Sequence, residues 1–185
     1  MMGDDYLTNP LEFLISTLFS LYIMAVMLRF LLGLVRADFY NPVSQFLVRI
    51  TNPLLIPLRK VVPSIGKFDS AAMLLMIVLQ LAAITLILLL RGEGISPAVL
   101  VILTIATLVS LLIDVYMFAI IVEVIISWMN PGSYNPVSSL LHSLTSPLLR
   151  PIRHLVPPIS GIDLSPLFAI IGLQVLRMLI LPLLS

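Results

Sequence analysis

The chain has 185 residues, 60% of them hydrophobic and 10% charged, with a mean hydropathy of +1.16 and a net charge of +1. A soluble domain carries about 25% charged residues, so this composition excludes a protein whose whole surface faces water, and the small net charge excludes nucleic-acid binding by bulk attraction. With no cysteine and only two histidines, His142 and His154, disulfides, thiolate chemistry and a histidine-rich metal site are excluded too.

The first predicted element is an apolar span from about residue 10 to 35, with Thr8 or Asn9 as cap and Pro10 in the first turn. Its acidic start and its length argue for a retained transmembrane helix over a cleaved signal peptide. An amphipathic segment follows over 41–63. Asn41 caps it, Pro42 opens it, and Val43, Phe46, Leu47 and Ile50 recur at helical spacing. Pro53 and Pro57 are expected to break it into two short interfacial helices. A second span covers about 70–90, with Asp69 as N-cap. A long apolar stretch then runs from Pro97 to Met129 after Ser96. At 1.5 Å per residue it would measure about 50 Å, too long for one upright crossing. The expected third span is 105–129, preceded by a lead-in. A second amphipathic segment covers 135–157, and a fourth span covers 166–184 with Ser165 as cap.

These elements are two copies of one unit, 1–92 and 93–185, at a constant offset of 94 residues. Tyr40-Asn41-Pro42-Val43-Ser44 recurs as Tyr134-Asn135-Pro136-Val137-Ser138. Thr51, Pro53, Pro57 and Arg59 recur as Thr145, Pro147, Pro151 and Arg153. Pro63, Asp69, Gln80 and Tyr22 recur as Pro157, Asp163, Gln174 and Tyr116. Apolar bias alone would align leucines, not these polar residues and prolines. The predicted fold is therefore an all-α membrane protein. Its four transmembrane helices form two parallel tandem repeats, each helix, amphipathic interfacial segment, helix. Basic residues gather in the amphipathic segments (Arg49, Arg59, Lys60, Arg150, Arg153). The positive-inside rule then puts those segments in the cytoplasm and both termini outside.

The repeated Asn-Pro-Val-Ser … Thr-x-Pro-Leu-Leu-x-Pro-x-Arg … Val-Pro … Asp, present at Asn41–Asp69 and again at Asn135–Asp163, resembles the signature of the YggT family, which has cyanobacterial and chloroplast relatives. The resemblance implies a multi-pass bacterial inner-membrane protein without established enzymatic activity or cofactor. It also brings an association with osmotic stress and ion homeostasis in bacteria, and with assembly in plastids. The second copy departs in having Pro158 and Gly161 where the first has Ser64 and Lys67.

Several residues are candidates for function. Arg29 and Glu123 occupy equivalent places in the first and third spans, on the same helix face as Tyr22 and Tyr116 respectively. Equal depth in parallel repeats suggests an intramembrane ion pair across the bundle centre, fixing register rather than gating a path. Such a pair predicts that Arg29→Glu restores what Glu123→Arg breaks. Asp114 is the candidate protonatable or cation-binding carboxylate if it lies deep, and an interfacial residue if the span starts late. Gln80 and Gln174, with Tyr22 and Tyr116, are expected to bond between helices, and Arg177 to reach the interface. Arg59, Lys60, Arg150 and Arg153 are expected to meet anionic lipid headgroups. His142 and His154 are expected to be interfacial, and Trp128 an anchor.

No nucleophile elbow, phosphate loop or metal-binding motif occurs, so an enzyme is the least favoured class. The expectation is a non-enzymatic inner-membrane protein in ion or osmotic homeostasis; the alternative is a scaffold or assembly factor organising protein partners at the cytoplasmic face. Its partners would be the bilayer, further copies of itself or another membrane protein, and no nucleic acid.

Overall fold

The computed structural model describes residues 4–94, 96–129, 135–156 and 163–184. Six α-helices follow in order: α1 (Asp4–Leu34), α2 (Pro42–Val61), α3 (Ser70–Arg91), α4 (Pro97–Met129), α5 (Pro136–Leu155) and α6 (Ser165–Ile180), with a closing 3₁₀ turn at Leu181–Leu184. α1, α3, α4 and α6 together with its 3₁₀ continuation (Ser165–Leu183) are long and apolar enough to cross a membrane. The shorter α2 and α5 join the two spans of each unit. They sit at the same end of the bundle, because the Asn41 side chain donates to the Pro136 carbonyl at 2.7 Å. The two repeats are therefore parallel, as the sequence predicts.

Local chemistry sets most of the boundaries. Asn41 and Asn135 each accept from the N–H two residues on, Val43 and Val137, at 2.9 Å, and a proline follows at the first helical position. Asp69 caps α3 by accepting from Ala72, and Ser96 caps α4 by accepting from Val99. The start of α6 departs from expectation: Ser165 is inside the helix, and Asp163 accepts its N–H at 2.9 Å. α1 begins at Asp4, so Pro10 lies within it instead of opening it.

Two further expectations are corrected. α4 is one unbroken helix of 33 residues, with no separate lead-in before residue 105. α2 and α5 are also unbroken, although Pro53, Pro57, Pro147 and Pro151 lie inside them. All four prolines are on the exposed side. There, the carbonyls that lose an N–H partner can be solvated instead of stranded, and the cost of an interior proline falls. Pro63 lies beyond the end of α2; Pro157 lies outside the described residues.

The main core joins Ile23, Val26, Phe30 and Leu31 of α1 to Ala71, Ala72, Leu75 and Met76 of α3. The small residues on α3 let the two backbones approach closely. Leu47 and Leu55 of α2, Leu108, Val115 and Ala119 of α4, and Leu140 and Leu144 of α5 complete it. A smaller cluster of Ile120, Leu149 and Ala169 seats α6. The buried line of α2 is Ser44, Leu47, Thr51 and Leu55, while Phe46, Leu54 and Ile56 stay exposed. The apolar stripe read from the sequence is thus divided between the bundle and the outside.

α1 ends in a Schellman motif. Ala37 donates to Leu32 O at 2.9 Å and Arg36 donates to Gly33 O at 3.2 Å. This forces Arg36 to a φ of 54°, where an L side chain is strained. Arg36→Gly is expected to raise stability by up to about 1 kcal/mol. The thermal midpoint of the detergent-solubilised protein checks this, and a lowered midpoint would contradict it.

Candidate functional site: charged locks beneath the two linking helices

The equivalence of Arg29 and Glu123 is structural, but they do not pair. Each bonds to the linking helix of its own unit. Arg29 Nη1 donates to Thr51 Oγ1 at 2.6 Å, Asn52 Oδ1 at 2.8 Å and Val48 O at 3.4 Å. Glu123 Oε2 accepts from the Thr145 hydroxyl, and its Oε1 bonds His142 Nδ1 at 3.0 Å. The repeated threonine therefore holds the spanning helix to α2 in one unit and to α5 in the other, and the charge it meets is inverted. The expected ion pair across the bundle centre is therefore not formed, because each side chain turns to the linking helix of its own unit.

Tyr22 adds to the first lock by donating to Ile50 O at 3.3 Å. The two carbonyls reached from α1, those of Val48 and Ile50, flank Arg49, whose carbonyl Pro53 leaves without its helical donor. Tyr116 is half-buried against the core and, among the described residues, makes no matching bond. Gln80 and Gln174 are half-buried and likewise bond no other helix among the described residues, contrary to expectation.

A second pair of ties closes each unit. Arg59 bonds Asp69, and Arg153 Nε donates to Asp163 Oδ2 at 2.9 Å. These pairs join the end of each linking helix to the start of the next span. Arg59 and Arg153, expected as headgroup ligands, are thus first engaged within the protein. Lys60 and Arg150 are exposed and make no ion pair among the described residues. Burial opposes ionisation of Asp69. The Arg59 hydrogen bond, the Ala72 N–H and the charges of Arg59 and Arg29 outweigh it, holding the carboxyl below its ordinary value.

Asp114 is not a free carboxylate. Arg177 Nη1 reaches it at 2.7 Å, tying α6 to α4, so Arg177 is a partner and not a residue extended to the interface. At the other end of the first unit, Arg91 grips Glu12 in a two-point bond of 2.8 and 2.7 Å. His154 and Trp128 are exposed, and among the described residues no group of three or more metal-capable side chains converges.

Two cavities accompany these locks. A groove of about 460 Å³ lies between the repeats, walled by Met24, Val43, Leu47, Phe118, Val137 and Leu141 among others. Its walls are equivalent side chains: Val43 faces Val137's place, Leu47 that of Leu141, Met24 that of Phe118. Among the described residues, Asp114 is its only ionisable lining residue. A smaller cavity of about 220 Å³ lies within the first unit and gathers Arg29, Arg59, Lys67 and Asp69.

Sequence reasoning missed Asn52, His142 and Lys67. One signal was present: the separation from Arg29 to Thr51 equals that from Glu123 to Thr145, so each unit preserves a span-to-linker pair whatever charge it carries.

The sequence model of the CCB3/YggT family matches this chain twice, over residues 8–90 and 102–184. An uncharacterised protein of Pseudomonas aeruginosa is 48% identical over 171 residues, covering 91% of this chain and 87% of the relative. The uncharacterised protein YggT of Escherichia coli K12 is 38% identical over 172 residues, covering 92% and 88%. The ycf19 protein of Guillardia theta is 30% identical over 69 residues, 37% of this chain and 76% of its own length. No solved structure matches. With both units matched and end-to-end relatives at these identities, the chain belongs to the CCB3/YggT family.

Proposed function

We propose that this protein is a non-enzymatic scaffold of the inner membrane, holding partner membrane proteins against its spans and presenting α2 and α5 to the cytoplasm. One observation carries the reading: the ionisable side chains within the spans are already engaged inside the molecule. Arg29 bonds Thr51 and Asn52, Glu123 bonds Thr145 and His142, Asp114 bonds Arg177, and Arg91 bonds Glu12. A conduction path needs a succession of ligands free to exchange with the ion. The groove at the repeat seam is instead apolar apart from Asp114. Exposed Phe46, Leu54 and Ile56 on α2, and the exposed apolar faces of α6, offer surface for helix-to-helix contact.

A second reading, a part in ion or osmotic homeostasis, is favoured by one feature, the presence of Asp114 on the wall of that groove. Reconstituted proteoliposomes separate the two. The scaffold reading expects K⁺ and Na⁺ flux no greater than in empty vesicles, with photo-crosslinkers at Phe46 and Leu54 trapping the same membrane protein in repeated preparations. Flux that Asp114→Asn abolishes would replace it with transport.

A further inference from the structure

Arg29 is a buried cation without a counter-ion of its own. It is 7% exposed, and its three acceptors, Val48 O, Thr51 and Asn52, are all uncharged. Its Nε and Nη2 groups donate to none of the described residues. Burying an uncompensated charge is costly unless an anion accompanies it. The guanidinium lines the 220 Å³ cavity together with Arg59 and Lys67, and the one carboxylate there, Asp69, is already bonded to Arg59 and caps α3. Three positive groups thus face a space with one negative group.

The backbone that carries Lys67 is fixed by a tight turn. Ile65 and Phe68 exchange both backbone hydrogen bonds, each 3.0 Å, around a two-residue turn of Gly66 and Lys67. Gly66 takes a φ of 61°, the left-handed conformation that such turns assign to glycine. The Phe68 ring stands edge-on to Phe30 of α1, with centroids 5.3 Å apart, and so fixes the turn against the span. The second unit cannot repeat the arrangement: Glu123 and Gly161 stand where the first has Arg29 and Lys67.

We propose that the cavity between α1, α2 and α3 binds a phosphate group, namely the headgroup phosphate of an anionic phospholipid. Guanidinium groups bind phosphate through directed paired hydrogen bonds, and an ammonium adds a point charge. Basic pockets between spanning helices suit lipid headgroups, because the acyl chains can stay alongside the spans. The site is independent of the scaffold reading, since it needs no partner protein.

The full chain in detergent is titrated with phosphatidylglycerol, with phosphatidylcholine (whose choline already neutralises the phosphate) and with inorganic phosphate. Bound lipid is counted by native mass spectrometry, and thermal midpoints are recorded in parallel. Lys67→Gln is compared with Arg49→Gln, which removes the same charge from an exposed residue that does not line the cavity. Phosphatidylglycerol is expected to bind, Lys67→Gln to weaken it about fivefold and Arg49→Gln to leave it unchanged. Equal losses in both variants would mean diffuse surface attraction and overturn the site. So would phosphatidylcholine binding as tightly as phosphatidylglycerol, or no phosphatidylglycerol binding at all. Competition by inorganic phosphate would support the phosphate chemistry of the pocket, and binding of inorganic phosphate alone would remove the lipid as its source.

Discussion

Asp69→Ala is expected to cost about 2–3 kcal/mol of stability, and the equivalent Asp163→Ala only about 1. Both aspartates accept a backbone N–H at the start of a span and a bond from an arginine ten residues earlier. Losing a cap of this kind costs about 1 kcal/mol. A hydrogen bond to a charged group is worth about 1.5–3 kcal/mol, less where the pair is open to solvent. The Asp163 pair is exposed on both sides, at 38% and 39%, whereas the Asp69 side chain is only 17% exposed. Asp69 also feels the charge of Arg29, so its removal leaves Arg29, Arg59 and Lys67 around one cavity without its carboxylate. The sign with pH follows from its lowered pKa. The contribution of Asp69 is present above the unfolded-state value of about 4 and is lost as pH falls through the lower folded value. Denaturant titration in micelles at neutral pH, and again at acid pH, measures both effects. Equal costs for the two aspartates at neutral pH would refute this account of the first unit.

A pair of double-mutant cycles should give opposite results. Glu123→Gln combined with Thr145→Val is expected to show a coupling of about 1.5–3 kcal/mol, because the hydroxyl donates to a carboxylate that is only 17% exposed. Arg29→Gln combined with Glu123→Gln is expected to be additive within about 0.5 kcal/mol, since each side chain bonds within its own unit. Thr145→Val alone should cost about 2 kcal/mol, leaving the carboxylate with His142. A coupling above about 1 kcal/mol between Arg29 and Glu123 would restore the cross-bundle ion pair and remove the two-lock description.

The parallel repeats, the asparagine caps and the Asp69 cap were legible in the sequence because each rests on short-range chemistry or on a periodicity that packing cannot alter. Pro53, Pro57 and their counterparts misled because a proline's cost depends on whether its orphaned carbonyl is dry, which is a property of the packed molecule. Arg29 and Glu123 misled for a different reason. Repeat equivalence fixes how deep a side chain lies, not the direction it takes around the helix axis. Asp114 and Arg177 lie 63 residues apart on helices that touch only in the fold, so neither the repeat nor local spacing could join them. Lys67 depends on a turn whose position is set by Phe68 against Phe30, a contact with no sequence signature.

The inversion of charge beneath the two linking helices has a consequence for assembly. Two identical chains related by a two-fold axis must present the same sign at corresponding places, and their flanks are interchangeable. A tandem polypeptide escapes that constraint: the guanidinium of Arg29 on one side and the carboxylate of Glu123 at the equivalent place on the other make the two flanks electrically unlike. Whatever approaches laterally meets two distinguishable sides, so docking can be polar and one-to-one where a symmetric dimer would invite two equivalent neighbours.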